Sequence, residues 1–234
     1  EKTEVANSLP KISLSAASLP QLHLEPFLRG DTGADEWFMP LGDPSETPLR
    51  GLGADTVRAA AAASALPCHL HVPVCGGSAV LEALAGLGCA RVTLQLEGCP
   101  HPHRALGRLR DLGVSPGIAM LPCTPLTKAD YLLPLVDRVV LLSAEPGGGA
   151  AAAGPVTERV KLLGEYLRYQ ELRAGIIVHG CADVALMGRA ARLGAQGVVV
   201  EDLLPPDARD TTPESCRVHL DQFRGALSTA IRIA

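Results

Sequence analysis

The chain has 234 residues and a mass of 24.4 kDa, with 47% hydrophobic and 20% charged residues, enough apolar material for one large packed domain and too much for global disorder. Twenty-one Lys and Arg against 25 Asp and Glu give a net charge of -4 and a pI near 6.0, which excludes a basic nucleic-acid-binding surface; aromatics at 3% leave no base-stacking platform. No apolar run approaches ~18 residues, so no membrane-spanning helix is expected.

In chain order, short β-rich runs fall at residues 11–16 (KISLSA), 36–40 (EWFMP), 68–74 (CHLHVPV) and 91–96 (RVTLQL). Four more follow at 117–121 (GIAML), 138–143 (RVVLLS), 175–178 (GIIV) and 197–200 (GVVV). Several are nearly continuous apolar runs, the pattern of strands covered on both faces in a parallel sheet. Helical periodicity lies between them. Residues 78–87 place Val80, Leu81, Leu84 and Leu87 on one face, 103–112 group Ala105, Leu109 and Leu112, and a helix opening at Pro155 carries Val156, Val160, Leu163 and Leu167. A further helix spans 183–193. Gly88, Gly113 and Gly194 each stand where a helix ends and a buried strand follows, which predicts the left-handed C′ conformation at all three.

Eight such strands with intervening helices in this length predict a single α/β domain, a (β/α)8 TIM barrel over residues 11–234 preceded by an N-terminal extension at 1–10. A doubly wound open sheet is the alternative, but no GxGxxG follows the first strand. Residues 147–154 (GGGAAAAG) are of low complexity and read as a mobile loop, and 202–213 (DLLPPDARDTTP) as another irregular segment. Seven scattered cysteines without a CxxC pair exclude a zinc knuckle, a thioredoxin-like motif and a disulfide scaffold. Residues 1–10 are polar and carry no signal-peptide pattern, so the expected location is the reducing cytoplasm.

In a barrel the chemistry sits at the C-terminal ends of the strands, which brings forward Ala16 and residues 40–43, 69–74, 95–99, 121–124, 143–149, 179–181 and 201–202. Five segments stand at or after these strand ends: CHLHV at Cys68–Val72, LEGCPHPHRAL at 96–106, LPCTP at 121–125, LLSAEPGGG at 141–149 and IVHGCA at 177–182. In this order they resemble the ribulose-phosphate 3-epimerase family, whose corresponding segments are VHLMV, an acidic residue followed by HLHR, LNPATP, LMSVNPGFGG and VDGGV.

The resemblance implies an isomerase of this barrel type, acting by proton transfer next to a carbonyl on a small sugar or sugar phosphate, and a homodimer or higher homo-oligomer. It implies a divalent cation held by two His and two Asp, the Asp pair also serving as acid and base. Onto those positions this chain places His69, Phe38, Pro40 and His179, so one ligand is kept and two positions carry side chains that neither bind a cation nor move a proton. The family's first-strand Ser falls on Ile12, or on Ser13 with a one-residue slip. Of its phosphate cradle, Gly147, Gly148, Gly149 and Gly180 remain as substrate-binding candidates, while a glycine becomes Cys181 and a Gly-Ser becomes Glu201-Asp202. Two carboxylates beside a phosphate dianion repel it.

His69 and His71 stand two apart on a strand and share a face. With His179 they form a candidate Zn-like site; the alternative is a set of hydrogen-bonded polar residues filling a remodelled barrel mouth. His179 and Asp43 are the candidate acid/base pair, His69 a candidate substrate contact, and the alternative for Asp43 is a turn residue before Pro44. Glu97 reads as half of a Glu–Arg or Glu–His ion pair organising its loop. A nucleophilic cysteine beside His179 has no motif behind it. Two functional classes therefore stand open: an epimerase-family isomerase with an altered substrate, and a barrel that has lost catalysis and serves as a binding, regulatory or assembly subunit.

Overall fold

The computed structural model describes residues 9–42, 51–145, 156–180, 183–201 and 211–233. Eight parallel strands close into a barrel in sequence order: β1 (Lys11–Ser15), β2 (Glu36–Pro40), β3 (Cys68–Val72), β4 (Arg91–Gln95), β5 (Ser115–Met120), β6 (Arg138–Leu142), β7 (Gly175–His179) and β8 (Gly197–Val200), with β8 pairing back onto β1. The (β/α)8 architecture expected from the strand and helix pattern is thus present. The N-terminal extension and the 147–154 loop fall mostly or wholly outside the described residues.

Among the described residues seven α-helices surround the barrel: α1 (Glu25–Arg29), α2 (Ala54–Ala63), α3 (Ser78–Ala85), α4 (Pro102–Asp111), α5 (Val156–Tyr169), α6 (Val184–Arg192) and α7 (Pro213–Ile233). After β5 two 3₁₀ turns, Leu126–Ala129 and Leu133–Leu135, take the place of a helix; Pro134 inside that stretch removes an N–H donor that a helix interior would need. The helix stops follow the expectation, since Gly88, Gly113 and Gly194 have φ of 84°, 79° and 115°. Asp183 caps α6 by accepting from the Ala185 and Leu186 N–H groups at 2.8 and 3.2 Å. No helix among the described residues is long and apolar enough to cross a membrane.

Strand alternation divides the interior in two. Ile12, Leu14, Trp37, Met39, Leu70, Val92, Leu94, Ile118, Val139, Val178 and Val198 face the helices and form the main apolar layer with Leu81, Leu106, Leu109, Val160, Met187 and Leu220. The other face closes on itself as the barrel lumen, with a small apolar cluster of Ala119, Val140 and Leu142 on one side. Apart from Phe38, the lumen is otherwise largely polar: Ser13, Ser15, Glu36, His69, His71, Thr93 and Gln95 are all buried.

At the N-terminal end the lumen is plugged by ion pairs. The Glu36 carboxylate accepts from Arg91 at 2.9 Å, from Arg138 at 3.1 Å and from the Ser13 hydroxyl at 3.1 Å. The Arg138 side chain passes beside Gly117, where an added Cβ would lie 2.7 Å from Arg138 Cγ and 2.5 Å from Thr93 Oγ1, so the absent side chain makes room for the plug. A buried carboxylate shared by two guanidinium groups cannot be removed without stranding the cations, and the loss of one partner from a buried pair costs ~3 kcal/mol or more. Glu36→Gln is therefore expected to lower unfolding stability by about 3 kcal/mol in urea titration, whereas Glu25→Gln, at an exposed pair with Arg29, is expected to change it by less than ~1 kcal/mol.

Candidate functional site

Above the plug, the lumen is organised around one benzyl ring. Phe38 on β2 is fully buried, and its ring centroid lies 5.3 Å from that of His69, 5.5 Å from His71 and 4.7 Å from His179. Period-2 alternation puts His69 and His71 of β3 on the lumen side, as the sequence indicates. Their fates differ with depth.

His69 lies beneath Phe38 with both ring nitrogens engaged. Arg138 donates to Nδ1 at 3.2 Å, so the lone pair is on Nδ1, and Nε2–H donates to Thr93 Oγ1 at 2.6 Å. Burial and then the Arg138 charge hold its pKa well below the ordinary histidine value, so the ring is neutral. A cation at His69 would have to displace one guanidinium hydrogen bond and approach the same positive charge.

Among the described residues, His69, His71 and His179 are not arranged as the three-imidazole metal shell expected from the sequence. The Nδ1 lone pair of His69 already accepts from Arg138, the Phe38 ring packs against all three imidazoles, and the His71 and His179 centroids are 6.2 Å apart. Among the described residues no group of three or more His, Cys, Asp or Glu is arranged to hold a metal ion. The donor set does not fit the divalent cation that the resemblance implies.

The C-terminal end of the lumen has a different character. His71 Nε2 lies 3.3 Å from Gln95 Oε1 on β4, which fixes the proton on Nε2 and leaves Nδ1 as an acceptor. Nδ1 has no partner, and the same holds for Ser15 Oγ at the end of β1 and Ser143 Oγ just after β6. His179 closes β7 with neither ring nitrogen in a hydrogen bond, although Nε2 stands 3.2 Å from Glu201 Oε1 at the end of β8. The side chains of His179 and Glu201 are 12% and 30% exposed, so this pair is the part of the lumen open to solvent. Buried polar atoms left without partners are costly, and a cluster of them at one end of a barrel marks where a polar ligand is accommodated.

Of the sequence candidates, His71 and His179 come together here, and His69 stays below. Gly180, with φ 89°, lies against Ser143, where an added Cβ would approach Oγ to 3.4 Å. Asp43, Gly147, Gly148, Gly149, Cys181 and Asp202 lie outside the described residues. Ser13, offered as a slipped match to a first-strand serine, faces the plug, and the unpartnered hydroxyl at the mouth belongs to Ser15. Gln95 and Ser143 open the strand-end segments 95–99 and 143–149 brought forward from the sequence, whereas Ser15 is not among those residues; the alternation of KISLS carries Ser15 to the lumen face, and that signal suffices to find it.

Glu97 meets its arginine across the loop, in an electrostatic interaction with Arg159 of α5. It accepts from the Leu121 N–H at 3.0 Å and from the Thr124 hydroxyl, while buried Arg159 of α5 donates to the carbonyls of Leu121 and Thr124 at 2.5 and 3.0 Å. The group ties the loop after β5 to β4 and α5.

A family model described as the ribulose-phosphate 3 epimerase family matches residues 31–204. The ribulose-phosphate 3-epimerase of Treponema pallidum is 26% identical over 196 residues, covering 83% of this chain and 88% of that protein. That of Helicobacter pylori strain 26695 is 30% identical over 139 residues, covering 59% of this chain but only 64% of the relative, just under two thirds of its length. Among solved structures, phosphoribosyl anthranilate isomerase from Thermococcus kodakaraensis matches with a TM-score of 0.63 at 17% identity, over 97% of this chain and all (100%) of that one, a likeness of fold alone.

Burial, and secondarily the His179 ring, hold His71 at about 4 against an ordinary 6.5. The unfolded chain thus takes up a proton at this residue near pH 6.5 and the folded chain only near pH 4. The stability that neutral His71 contributes is complete above pH ~6.5 and is lost as pH falls from there towards 4. The shift corresponds to ~3 kcal/mol. Urea unfolding between pH 7 and 4 is expected to show a steeper loss in the wild type than in His71→Asn, and identical slopes would remove His71 as the responsible group.

Proposed function

The chain belongs to the ribulose-phosphate 3 epimerase family, and on that premise we propose that its mouth binds an uncharged sugar, not the usual sugar phosphate, and transfers a proton next to the carbonyl without a metal. The observation that carries this reading is the ring of unpartnered buried acceptors and hydroxyls, Ser15 Oγ, His71 Nδ1, Ser143 Oγ and the His179 nitrogens, beside the Glu201 carboxylate. Sugar hydroxyls both donate and accept, and such groups satisfy hydroxyls and neutral imidazole acceptors alike.

In this reading His179 is the base. A neutral ring nitrogen removes the proton from the carbon next to the carbonyl, and Glu201, 3.2 Å from Nε2, stabilises the imidazolium that forms. The carbonyl oxygen becomes an enolate, the adjacent hydroxyl passes its proton to that oxygen to give the enediolate, and return of the first proton from the same nitrogen to the former carbonyl carbon, as the other oxygen becomes the new carbonyl, completes an aldose–ketose isomerisation with one base. Inversion at a single carbon needs a second group on the opposite face, for which Asp43 is the sequence candidate. Glu201 stands where the resemblance places part of a phosphate cradle. A carboxylate and a phosphate charge ~4 Å apart repel by several kcal/mol in a partly solvated site, which supports an unphosphorylated ligand at that end. A homo-oligomeric state and a cytoplasmic location belong to the same reading.

A second reading, a ligand-binding subunit without turnover, is favoured by one specific feature: Pro40 and Phe38 occupy the positions that the resemblance assigns to an acidic base and a metal ligand. The two are separated by experiment. We expect no exchange of the C3 proton of ribulose 5-phosphate in deuterated water, with or without added Zn, Mn or Fe; robust metal-dependent exchange would overturn the proposal. A thermal-shift panel of sugars, sugar phosphates and polyols is expected to give stabilisation by unphosphorylated members. For a stabilising sugar, His179→Gln is expected to lower deuterium exchange next to the carbonyl by at least ~100-fold while the thermal shift persists. Binding with no exchange in the wild type would establish the subunit reading instead.

A further inference from the structure

Two buried cysteines meet at the rim of the barrel mouth. Cys75 follows β3, and Cys99 closes the turn Leu96–Gly98 that follows β4. The Cys75 N–H donates to the Gly98 carbonyl at 3.0 Å, so the two loops are joined by backbone at the cysteines themselves. The approach is close enough that a Cβ added at Gly98 would lie 1.9 Å from the Pro73 carbonyl oxygen, so only glycine permits this junction. Both residues are buried, at 3% and 6% exposure, and no disulfide joins them.

From this junction we propose that Cys75 and Cys99 form a redox-active dithiol that closes to a disulfide, a modification site at the rim of the mouth. Cys99 is the attacking thiolate. The Cys75 thiol hydrogen-bonds to its sulfur, and the His101 N–H does the same from the start of α4; together they bring its pKa to about 7 against the opposing effect of burial. The same hydrogen bond, with burial, pushes the Cys75 thiol up, so Cys75 keeps its proton and acts as the resolving partner. Its S–H has a second acceptor in the Gly76 carbonyl at 3.7 Å, which holds the side chain in the loop.

Cys68 and Cys89 supply an internal contrast. Burial raises both thiols, Cys89 to about 12; at Cys68 a hydrogen bond with Ser64 opposes the rise without overcoming it. Exposed Cys123 is raised by the adjacent Glu145 carboxylate, to which its thiol hydrogen-bonds.

The oxidant class is a hydroperoxide small enough to reach a buried sulfur. Cys99 S⁻ displaces hydroxide from hydrogen peroxide to give the sulfenic acid, and the hydroxide is protonated to water. The Cys75 sulfur then attacks the sulfenic sulfur, the S–S bond forms, and the Cys75 proton leaves with the hydroxyl as a second water. Two thiols are oxidised, one peroxide is reduced, and a dithiol reductant reverses the step.

The test uses the full chain. After brief exposure to hydrogen peroxide, we expect the free-thiol titre to fall by two and non-reducing peptide mapping to recover a Cys75–Cys99 crosslink that dithiothreitol removes. In Cys75→Ser, dimedone is expected to label Cys99 and no crosslink to form. In Cys99→Ser, Cys75 is expected to remain unmodified under the same exposure. Oxidation of Cys123 or of Cys68 and Cys89 with Cys75 and Cys99 left reduced would overturn the proposal. So would conversion of Cys99 to the sulfinic acid as fast in the wild type as in Cys75→Ser, since a resolving thiol must outcompete that step.

Discussion

Closing eight strands on themselves leaves a lumen of fixed volume into which every second side chain must fit, and here the largest occupant is the Phe38 ring packed against three imidazoles. That packing decides what each histidine can do. His69 is covered from above and has to find its partners below and beside it, which it does in Arg138 and Thr93. His71 and His179 are held above the ring, at the open end. An aliphatic or polar residue at position 38 would leave space at the centre of the three rings; a benzyl group removes it and with it the room for a coordinated ion.

The result is a barrel whose two ends obey different rules. At the closed end the polar groups are paired: one carboxylate serves two guanidinium groups and a hydroxyl, and a neutral imidazole accepts from one of the same guanidinium groups. Desolvated charges are tolerable there because each has a partner in place. At the open end several hydroxyl and imidazole atoms have none in the protein. A fold can sustain such debt only where a ligand or water discharges it, and the location coincides with the strand ends where barrel enzymes do their chemistry.

Much of the frame was readable from the residues. Alternation and the Leu-Gly punctuation located all eight strands to within a few residues, and the glycines at 88, 113 and 194 adopt the left-handed conformation their positions demand. The elements that escaped are instructive. Ala54–Ala63 is an alanine run with only Val57 and Ala60 buried, so it carries almost no apolar stripe to recognise. Pro213–Ile233 follows a Pro- and Asp-rich stretch that masks its start, though Cys216, Leu220, Phe223 and Leu227 keep helical spacing. The site was legible by parity, in that His69 and His71 share a face, but not by depth. What separates them is Arg138, a residue 69 positions from His69 and 102 from Glu36, and no local pattern announces a pairing of that range.

The electrostatics of the open end follow from the same arrangement. Its one solvent-accessible imidazole faces a carboxylate, and its buried imidazole is held neutral by burial, so among these groups there is no fixed positive charge to greet an anion. The cations of the lumen, Arg91 and Arg138, are spent on Glu36 at the opposite end, on the far side of Phe38. A phosphate would therefore meet Glu201 without the compensation that backbone N–H groups alone have to supply, while a hydroxylated neutral ligand meets acceptors and hydroxyls in want of partners. The Phe38 ring thus stands between two electrostatic settings, the guanidinium groups paired with Glu36 at one end of the lumen and the imidazoles beside Glu201 at the other.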